Sequence, residues 1–419
     1  MYDWANSVYQ LTIASAIFPV YYNEVTGGKE GSLVSFFGMP VINTVIYAWA
    51  IAAAYFLMAI FSPMFSSIAD YSGRRKLFMK GFTVIGAFSC SMLFFFLGTN
   101  LEWGIIFFGL GALGYAGSLV FYNSFLPVIA EPKDHDRISA QGYSMGYQGG
   151  VILLIINLVF ILRPIWFGIT DPKLPSRLAF LSVGIWWFGF SQWTFRKLPK
   201  YTFGHAAGKN LLFNGYKELK KVFGIVNRSF AMKVYLPAFF FITMGILTVM
   251  FMAASYGKKQ LDLKKEVLIP IILVIQLVGM LGAWFFARLS GRIGNFKTLI
   301  ITVVIWALIC IGVIFVTNAT GFAIAAFFVG LVMGGSQSLL RSTYSKMIPA
   351  DTKDHTSFFS FYDVMEKLAI VGGTFSFGIM EAITGSMKNS VLAIMIFFII
   401  GLAFLLVLMR KTRVPLEVN

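Results

Sequence analysis

Three ionisable residues lie close together in an otherwise apolar stretch near the C-terminus: Asp363, Glu366 and Lys367. At helical spacing Asp363 and Lys367 can pair, while Asp363 lies near enough to Glu366 to favour protonation of one carboxyl group. A charge at the membrane centre costs about 2.5–3.5 kcal/mol, so such residues usually mark a pathway. We therefore expect Glu366 to exchange a proton, with Lys367 as counter-ion or carboxylate anchor. The alternative is an ion pair that fixes this helix to a neighbour.

Polar side chains also recur at three- and four-residue intervals in other apolar stretches. Amides facing lipid would be costly, so these stripes predict an aqueous cavity. The candidate cavity residues are Asp3, Asn6, Gln10, Asn123, Gln141, Gln148 and Gln337. Two alternatives stay open: hydrogen bonds that hold helices together, and Asp3 as the N-cap of the first helix.

The composition of the whole chain indicates a membrane protein. Of 419 residues 58% are hydrophobic and only 12% are charged, whereas a soluble domain is about a quarter charged. The net charge of +16 fits cytoplasmic loops that face an anionic inner leaflet better than a nucleic-acid partner. Two cysteines in apolar runs and three histidines without metal spacing predict no disulfide, metal or cofactor.

Apolar runs long enough to cross a bilayer as helices occur twelve times. They lie near 4–23, 42–69, 77–98, 103–126, 138–162, 178–195, 232–256, 267–288, 298–317, 320–343, 357–381 and 390–409. With both termini inside, 24 Lys and Arg residues fall on the cytoplasmic side and nine on the other. This bias predicts an N-in, C-in topology.

The two halves of the chain repeat each other. Leu126-Pro127, Lys133-Asp134-His135 and Gly149-Gly150 recur as Ile348-Pro349, Lys353-Asp354-His355 and Gly372-Gly373, at offsets of 220 to 223 residues. Duplicated six-helix halves are typical of secondary transporters that rock about a central site. We expect an N-terminal bundle over 1–195, a basic cytoplasmic linker with an amphipathic surface helix over 196–231, and a C-terminal bundle over 232–419.

The loop after the second predicted span reads Ser66-Ser67-Ile68-Ala69-Asp70-Tyr71-Ser72-Gly73-Arg74-Arg75-Lys76. Gly73 lets the backbone reverse, and Asp70 can cap a helix or pair with a cation. The segment resembles the signature of the major facilitator superfamily, although Ser66 replaces a glycine and Tyr71 an arginine. Its second copy has Gly291 in place of the acid. Because only the first copy keeps the acid, we expect an asymmetric inner gate. It is formed by Asp70, Gly73, Arg74, Arg75 and Arg341.

Three further segments resemble the vacuole-effluxer family, relatives of the amino-acid exporters of fungal vacuoles. They are Tyr2-Asp3-Trp4-Ala5-Asn6-Ser7, Phe121-Tyr122-Asn123-Ser124-Phe125-Leu126-Pro127 and Gly334-Gly335-Ser336-Gln337-Ser338-Leu339-Leu340-Arg341-Ser342. Members usually carry a basic stretch before the first segment, so a longer natural N-terminus is expected. The resemblance implies a multi-pass, proton-linked transporter that exports a small solute such as a neutral amino acid. We expect a monomer in a bacterial inner membrane, or in a vacuolar membrane if the source is eukaryotic.

Other functions stay open from the sequence alone. The cargo could be a sugar, peptide, drug or lipid precursor, or the protein could scramble lipids or act as a receptor without directional flux. An enzyme is not expected. Gly142-Tyr143-Ser144-Met145-Gly146 matches a hydrolase pattern, but it falls in a predicted helix without a strand before it. Its glycines, like Gly330 and Gly334, predict close helix packing instead.

Overall fold

The computed structural model describes residues 1–26, 33–199, 211–261, 263, 265–349, 352, 355–384 and 387–411. These residues are almost entirely helical, so the predicted all-α fold class is confirmed. The helices are α1 Tyr2–Val8, α2 Phe18–Val25, α3 Asn43–Ser72, α4 Arg75–Met92, α5 Leu101–Asn123, α6 Leu126–Ile129, α7 His135–Leu162, α8 Leu174–Lys197, α9 Leu211–Arg228, α10 Phe230–Leu261, α11 Lys265–Ile293, α12 Asn295–Ile314, α13 Ala319–Met347, α14 His355–Thr384 and α15 Met387–Lys411.

Across the described ranges, nine helices are long and apolar enough to cross a bilayer. The predicted spans near 4–23, 178–195 and 357–381 contain helices but do not meet that criterion, so the count of twelve stays a prediction. Large apolar side chains such as Phe56, Phe315 and Phe375 are more than 60% exposed, as expected for surfaces that face acyl chains.

The first predicted span is not one regular helix. A nine-residue π-helix, Tyr9–Ile17, joins α1 to α2, and its wider turns frequently occur at functional sites. Met1 is the N-cap of α1 and Asp3 lies in the first turn, so the alternative of Asp3 as N-cap is wrong.

A short antiparallel hairpin interrupts the helical pattern before α3. Strand β1 (Leu33–Phe36) pairs with β2 (Met39–Ile42), and Phe37 and Gly38 form the turn with φ of 48° and 79°. The backbone amide of Phe37 donates to Glu102 at 2.9 Å, which fixes the turn to the start of α5. The sequence analysis did not predict this hairpin.

The chain divides into two compact units. The first comprises Met1–Ser124 and Met145–Tyr216, and the second comprises Phe125–Ser144 and Lys217–Asn419. Residues 125–144, which include the first ten residues of α7, thus belong to the second unit. The predicted domain bounds, which place that segment with the N-terminal bundle, stay a prediction.

Aromatic side chains form the core of the first unit. Phe18 stacks on Phe108 with ring centroids 4.3 Å apart, and the fully buried Trp187 lies 5.8 Å from Tyr9. Burial of such large rings is a major source of packing energy.

Small residues allow close helix contact in the second unit. A Cβ added at Gly330 of α13 would lie 2.6 Å from the carbonyl oxygen of Ile275 in α11, so the close packing predicted at Gly330 is present. Beside it, the Trp306 indole donates to Ser336 at 3.1 Å and stacks on Phe398.

Candidate functional site

Asp363, Glu366 and Lys367 of α14 differ in their contacts. Lys367 and Asp363 form a salt bridge one helical turn apart, with side chains only 4% and 9% exposed. Glu366 lies on the same helix, is half-buried, and has no hydrogen-bond or salt-bridge partner among the described residues. The pair is locally neutral, because each charge cancels the other, whereas Glu366 takes part in no such pair among the described residues.

A small cavity in the second unit, whose empty space of about 240 Å³ includes open solvent, contains Glu366 in its wall. The other polar residues of the wall are Tyr143, Thr243, Gln337 and Tyr362, and the apolar ones are Ile246, Leu247 and Leu340. They come from α7, α10, α13 and α14. Of the residues predicted to bind substrate or proton, the cavity brings together Gln337 and Glu366.

Arg341 is buried in α13 and holds the start of α7. Its Nε donates to Ser139 Oγ and its Nη2 to the Ser139 carbonyl oxygen, both at 3.0 Å. Its guanidinium also lies 4.5 Å from the ring centroid of Tyr143, a cation–π contact. Arg341 thereby positions a tyrosine of the cavity wall. The predicted gate role of Arg341 stays a prediction.

Sequence reasoning missed a further buried carboxylate, that of Asp136. It accepts hydrogen bonds from Ser290 Oγ at 2.9 Å, Asn295 Nδ2 at 2.8 Å and Lys346 Nζ at 2.7 Å. Asn295 also donates to Thr343, 2.9 Å away. We call Asp136, Ser290, Asn295, Thr343 and Lys346 the Asp136 cluster. An acid in the first turn of α7, directly after the repeated Lys-Asp-His motif, was the available signal.

The loop between α3 and α4 is stabilised by contacts between the ends of these two helices. Arg75 Nε donates to Asp70 at 2.8 Å, and both side chains are almost fully buried. Gly73, at φ 64°, permits the reversal, and its amide donates to the Asp70 carbonyl oxygen. Arg74 is exposed. The inner-gate residues of this loop therefore include one buried ion pair.

The polar stripe of the N-terminal helix is mostly buried in the first unit. The Tyr122 hydroxyl donates to the Asp3 carboxylate in a short hydrogen bond. Asn6 is 1% exposed, and its Nδ2 has no partner among the described residues. Gln10 is half-buried in the π-helix.

The remaining predicted cavity residues belong to both compact units. Asn123 ends α5 and is half-buried, while Gln141 and Gln148 are exposed on α7. Gln141 belongs to the second unit, and Gln148 and Asn123 belong to the first. Their predicted role as cavity residues stays a prediction. The described residues contain no group of three His, Cys, Asp or Glu that could hold a metal ion.

Comparison with known proteins places these features in a family. The model of the "Vacuole effluxer Atg22 like" family matches residues 1–414. An "Uncharacterized MFS-type transporter YxiO" of Bacillus subtilis is 28% identical, with 98% of this chain and 94% of that protein covered. "Autophagy-related protein 22-1" of Aspergillus terreus is 24% identical over 93% of this chain and 78% of its own length.

Solved structures with the same fold are transporters of the major facilitator superfamily. The proton:xylose symporter XylE has a TM-score of 0.71 at 13% identity and covers 98% of this chain and 93% of its own. FucP in the outward conformation has a TM-score of 0.68 at 15% identity, with 97% and 98% covered. The predicted major-facilitator fold and the resemblance stated above are both confirmed. The chain belongs to the Atg22-like vacuole-effluxer family and is a multi-pass membrane transporter, not an enzyme.

Proposed function

We propose that the protein is a secondary active transporter that couples proton movement to the export of a small solute, with neutral amino acids as the cargo to examine first. Glu366 carries the proposal. It is a half-buried carboxylate without a partner in the described residues, and it lines a cavity beside the neutral Asp363–Lys367 pair. A carboxylate in that setting can gain and lose a proton without breaking the pair.

Alternating access is supported by two cytoplasmic clusters built on buried carboxylates. The Asp70–Arg75 pair holds the loop between α3 and α4, and the Asp136 cluster holds the start of α7 against α11 and α13. Buried polar clusters have discrete made and broken states, as a gate requires. We assign the inner gate to these two clusters, with Arg341 as a further clasp on α7.

The basic linker helix α9 is proposed to lie against the anionic inner leaflet. Lys217, Lys220 and Lys221 are exposed, whereas Val222 and Val226 are buried in the second unit. Lysines on the open side of a docked helix attract anionic headgroups. Helical spacing in the sequence predicts an apolar stripe of Leu212, Tyr216, Leu219 and Phe223. Phe223 is 51% exposed, and the side chains of the other three lie outside the described residues.

The proton-coupling proposal is tested with purified protein in liposomes that carry a pH gradient. Radiolabelled leucine, alanine and glycine serve as first cargoes. Glu366→Gln should abolish gradient-driven uptake, because a neutral amide cannot exchange a proton, while counterflow without a gradient stays largely intact. Glu131→Gln, which changes an exposed carboxylate paired with Lys133, is the control and should leave both activities unchanged. Equal loss of both activities in Glu366→Gln would make Glu366 a structural residue.

A lipophilic cargo is the second candidate, favoured by a separate cavity in the second unit. Its free space is about 580 Å³, and its wall includes Tyr256, Cys310, Phe322 and Phe377. The Tyr256 hydroxyl donates to the Val313 carbonyl oxygen at 3.3 Å, so the phenol's polar group is already engaged. Gradient-driven uptake of a fluorescent lipophilic amine, with no uptake of any amino acid, would favour this candidate.

A further inference from the structure

The π-helix Tyr9–Ile17 connects two aromatic side chains that pack against the same helix of the first unit. Tyr9 stacks on Tyr115 with ring centroids 5.1 Å apart, and Phe18 stacks on Phe108 with ring centroids 4.3 Å apart. Both partners belong to α5, where they are seven residues apart, or about two α-helical turns. We call these two stacks the Tyr9 contact and the Phe18 contact.

Helix α8 shows the same spacing. Tyr9 also lies 5.8 Å from Trp187, and Phe18 lies 5.7 Å from Phe180, measured between ring centroids. Trp187 and Phe180 are again seven residues apart, and both are fully buried. Tyr9 and Phe18 themselves are nine residues apart. The first span therefore fits nine residues between contacts that α5 and α8 separate by seven.

An α-helix with this spacing could not make both contacts. Nine residues are about two and a half α-helical turns, so Phe18 would point away from the side of Tyr9, about 3 Å too far along the axis. A π-helix has wider turns and takes up the two extra residues. The helix that begins the second half of the chain, α10, is α-helical from Phe230 to Leu261. A span at the start of a half thus does not by itself need a π-helix.

The π winding has a cost at Thr12. This side chain is fully buried, and its Oγ1 has no hydrogen-bond partner among the described residues. In an α-helix a threonine can donate to the carbonyl oxygen four residues before it, as Thr83 does to Met79 at 2.8 Å. An α-helical first span would give Thr12 that bond but would lose one of the two aromatic contacts. The two windings therefore offset each other, as a two-state element requires.

We propose that the first span switches between this π winding and an α winding during transport, and that the Phe18 contact is the one that opens. Pro19 directly follows Phe18 and has no backbone N–H, so one helical hydrogen bond is missing at this point and the helix can turn there. Opening also breaks the hydrogen bond from the Tyr21 hydroxyl to the Phe96 carbonyl oxygen, which is 2.7 Å long. The proposal rests on the protein being a transporter and not on the coupling ion or the cargo proposed above.

The switch exchanges the surroundings of two residues. In the π winding Ser15 is exposed, whereas Ile17 is only 5% exposed. In an α-helix continued from Tyr9, Ile17 follows Gln10 by seven residues, or about two turns, and so lies on the same half-buried side as Gln10. Ser15 turns away from that side. The α winding therefore brings Ile17 into contact with water.

Cysteine labelling of the full-length protein in nanodiscs tests this exchange. After the two native cysteines are replaced by alanine, one cysteine is introduced as Ile17→Cys or, for the matched control, as Ile13→Cys. Ile13 is fully buried and only four residues from Tyr9, so it stays on the side of Tyr9 in both windings. We expect a charged methanethiosulfonate to react about tenfold faster with Ile17→Cys, and Phe18→Ala to raise only that rate by about tenfold more.

Deletions test the spacing. Removing Ala14 and Ser15 together places Phe18 seven residues after Tyr9, so a regular α-helix makes both contacts. We expect this variant to melt no lower than the wild type and to lose leucine counterflow, because it has a single winding. Removing Ser15 alone leaves a spacing that fits neither winding and should give the lowest melting temperature. Ser15→Ala keeps the spacing, loses only the hydrogen bond to the Gln10 carbonyl oxygen, and should behave like the wild type.

Three outcomes would overturn the proposal. The first is equal labelling of Ile17→Cys and Ile13→Cys, and the second is a double deletion that melts below the single deletion. The third is wild-type counterflow in the double deletion. Failure of the proposed function would appear differently, as a wild-type protein that transports none of the amino acids. In that case the labelling rates still decide whether the first span has two windings.

Discussion

Two helix-connecting loops that the repeated sequence motifs relate are both held by a buried aspartate, but the aspartate comes from different places. In the first unit Asp70 lies in the last turn of α3, just before the loop, and pairs with Arg75 at the start of α4. In the second unit the equivalent position is Gly291, which has no carboxylate. Asp136 supplies one instead and accepts hydrogen bonds from Ser290 and Asn295, which are 154 and 159 positions away from it in the sequence. Both loops keep a glycine at positive φ, Gly73 at 64° and Gly294 at 88°.

Both loops are thus held by a carboxylate, but the contacts span very different distances along the sequence. The Asp70–Arg75 pair stabilises one turn between adjacent helices. The Asp136 cluster joins α7 to α11 and α13, elements far apart in the sequence. The two clusters proposed as the inner gate therefore differ in reach: the first connects neighbouring helices, and the second connects helices that are distant in the sequence. Three substitutions test this distinction.

The largest loss of stability is expected for Asp70→Asn, but it should stay local. The substitution leaves the Arg75 guanidinium buried without its counter-charge, which costs about 3 kcal/mol. Hydrogen–deuterium exchange should rise at the end of α3 and the start of α4 while α7 stays protected. A change in exchange across α7 would contradict the local role of this pair.

Asp136→Asn should have a smaller but more widespread effect. Lys346 is about a quarter exposed, so solvent compensates part of the loss, and we expect about 2–3 kcal/mol. Amides of α7 near 135–144 should exchange roughly 30- to 100-fold faster, since each 1.4 kcal/mol is a factor of ten. If only α11 responds and 135–144 keeps its protection, the cluster does not hold α7.

The smallest effect is expected for the interaction energy between the side chains of Asp136 and Lys346. Adding Lys346→Met to Asp136→Asn removes the stranded charge, so the double variant should recover about 1–2 kcal/mol relative to the sum of the single variants. The measurement is the same exchange at 135–144. Lys133→Met, at an exposed surface pair, is the control and should show no coupling. Strict additivity of Asp136→Asn and Lys346→Met would mean that the hydrogen bonds, not the charge pair, hold α7.

The sequence predicted the parts of the molecule that depend on local spacing. Helical periodicity and hydropathy identified the all-α fold, and the four-residue spacing of Asp363 and Lys367 corresponds to the observed salt bridge. Gly73 was expected to allow the reversal, and it lies at positive φ. Such features need only the geometry of one helix or one turn.

Contacts between distant segments could not be read from spacing. Lys346 and Asp136 are 210 positions apart, and nothing in the periodicity of either helix selects the other. Thr243, in the cavity wall, was overlooked for a different reason. An isolated threonine in an apolar helix usually bonds to its own backbone, as Thr248 does. The π-helix Tyr9–Ile17 likewise has no sequence signal that we recognised.

One continuous helix, α7, has its first ten residues in one compact unit and the rest in the other. The two units therefore share this helix. A change in the orientation of one unit relative to the other would therefore have to bend α7, or to break the contacts that hold its first ten residues. Gly142 and Gly146 flank the crossing point, where the absence of side chains makes an α-helix least stiff. Bending near Gly142 and Gly146 and release of the first turns of α7 are therefore the two ways in which a conformational change could pass along this helix.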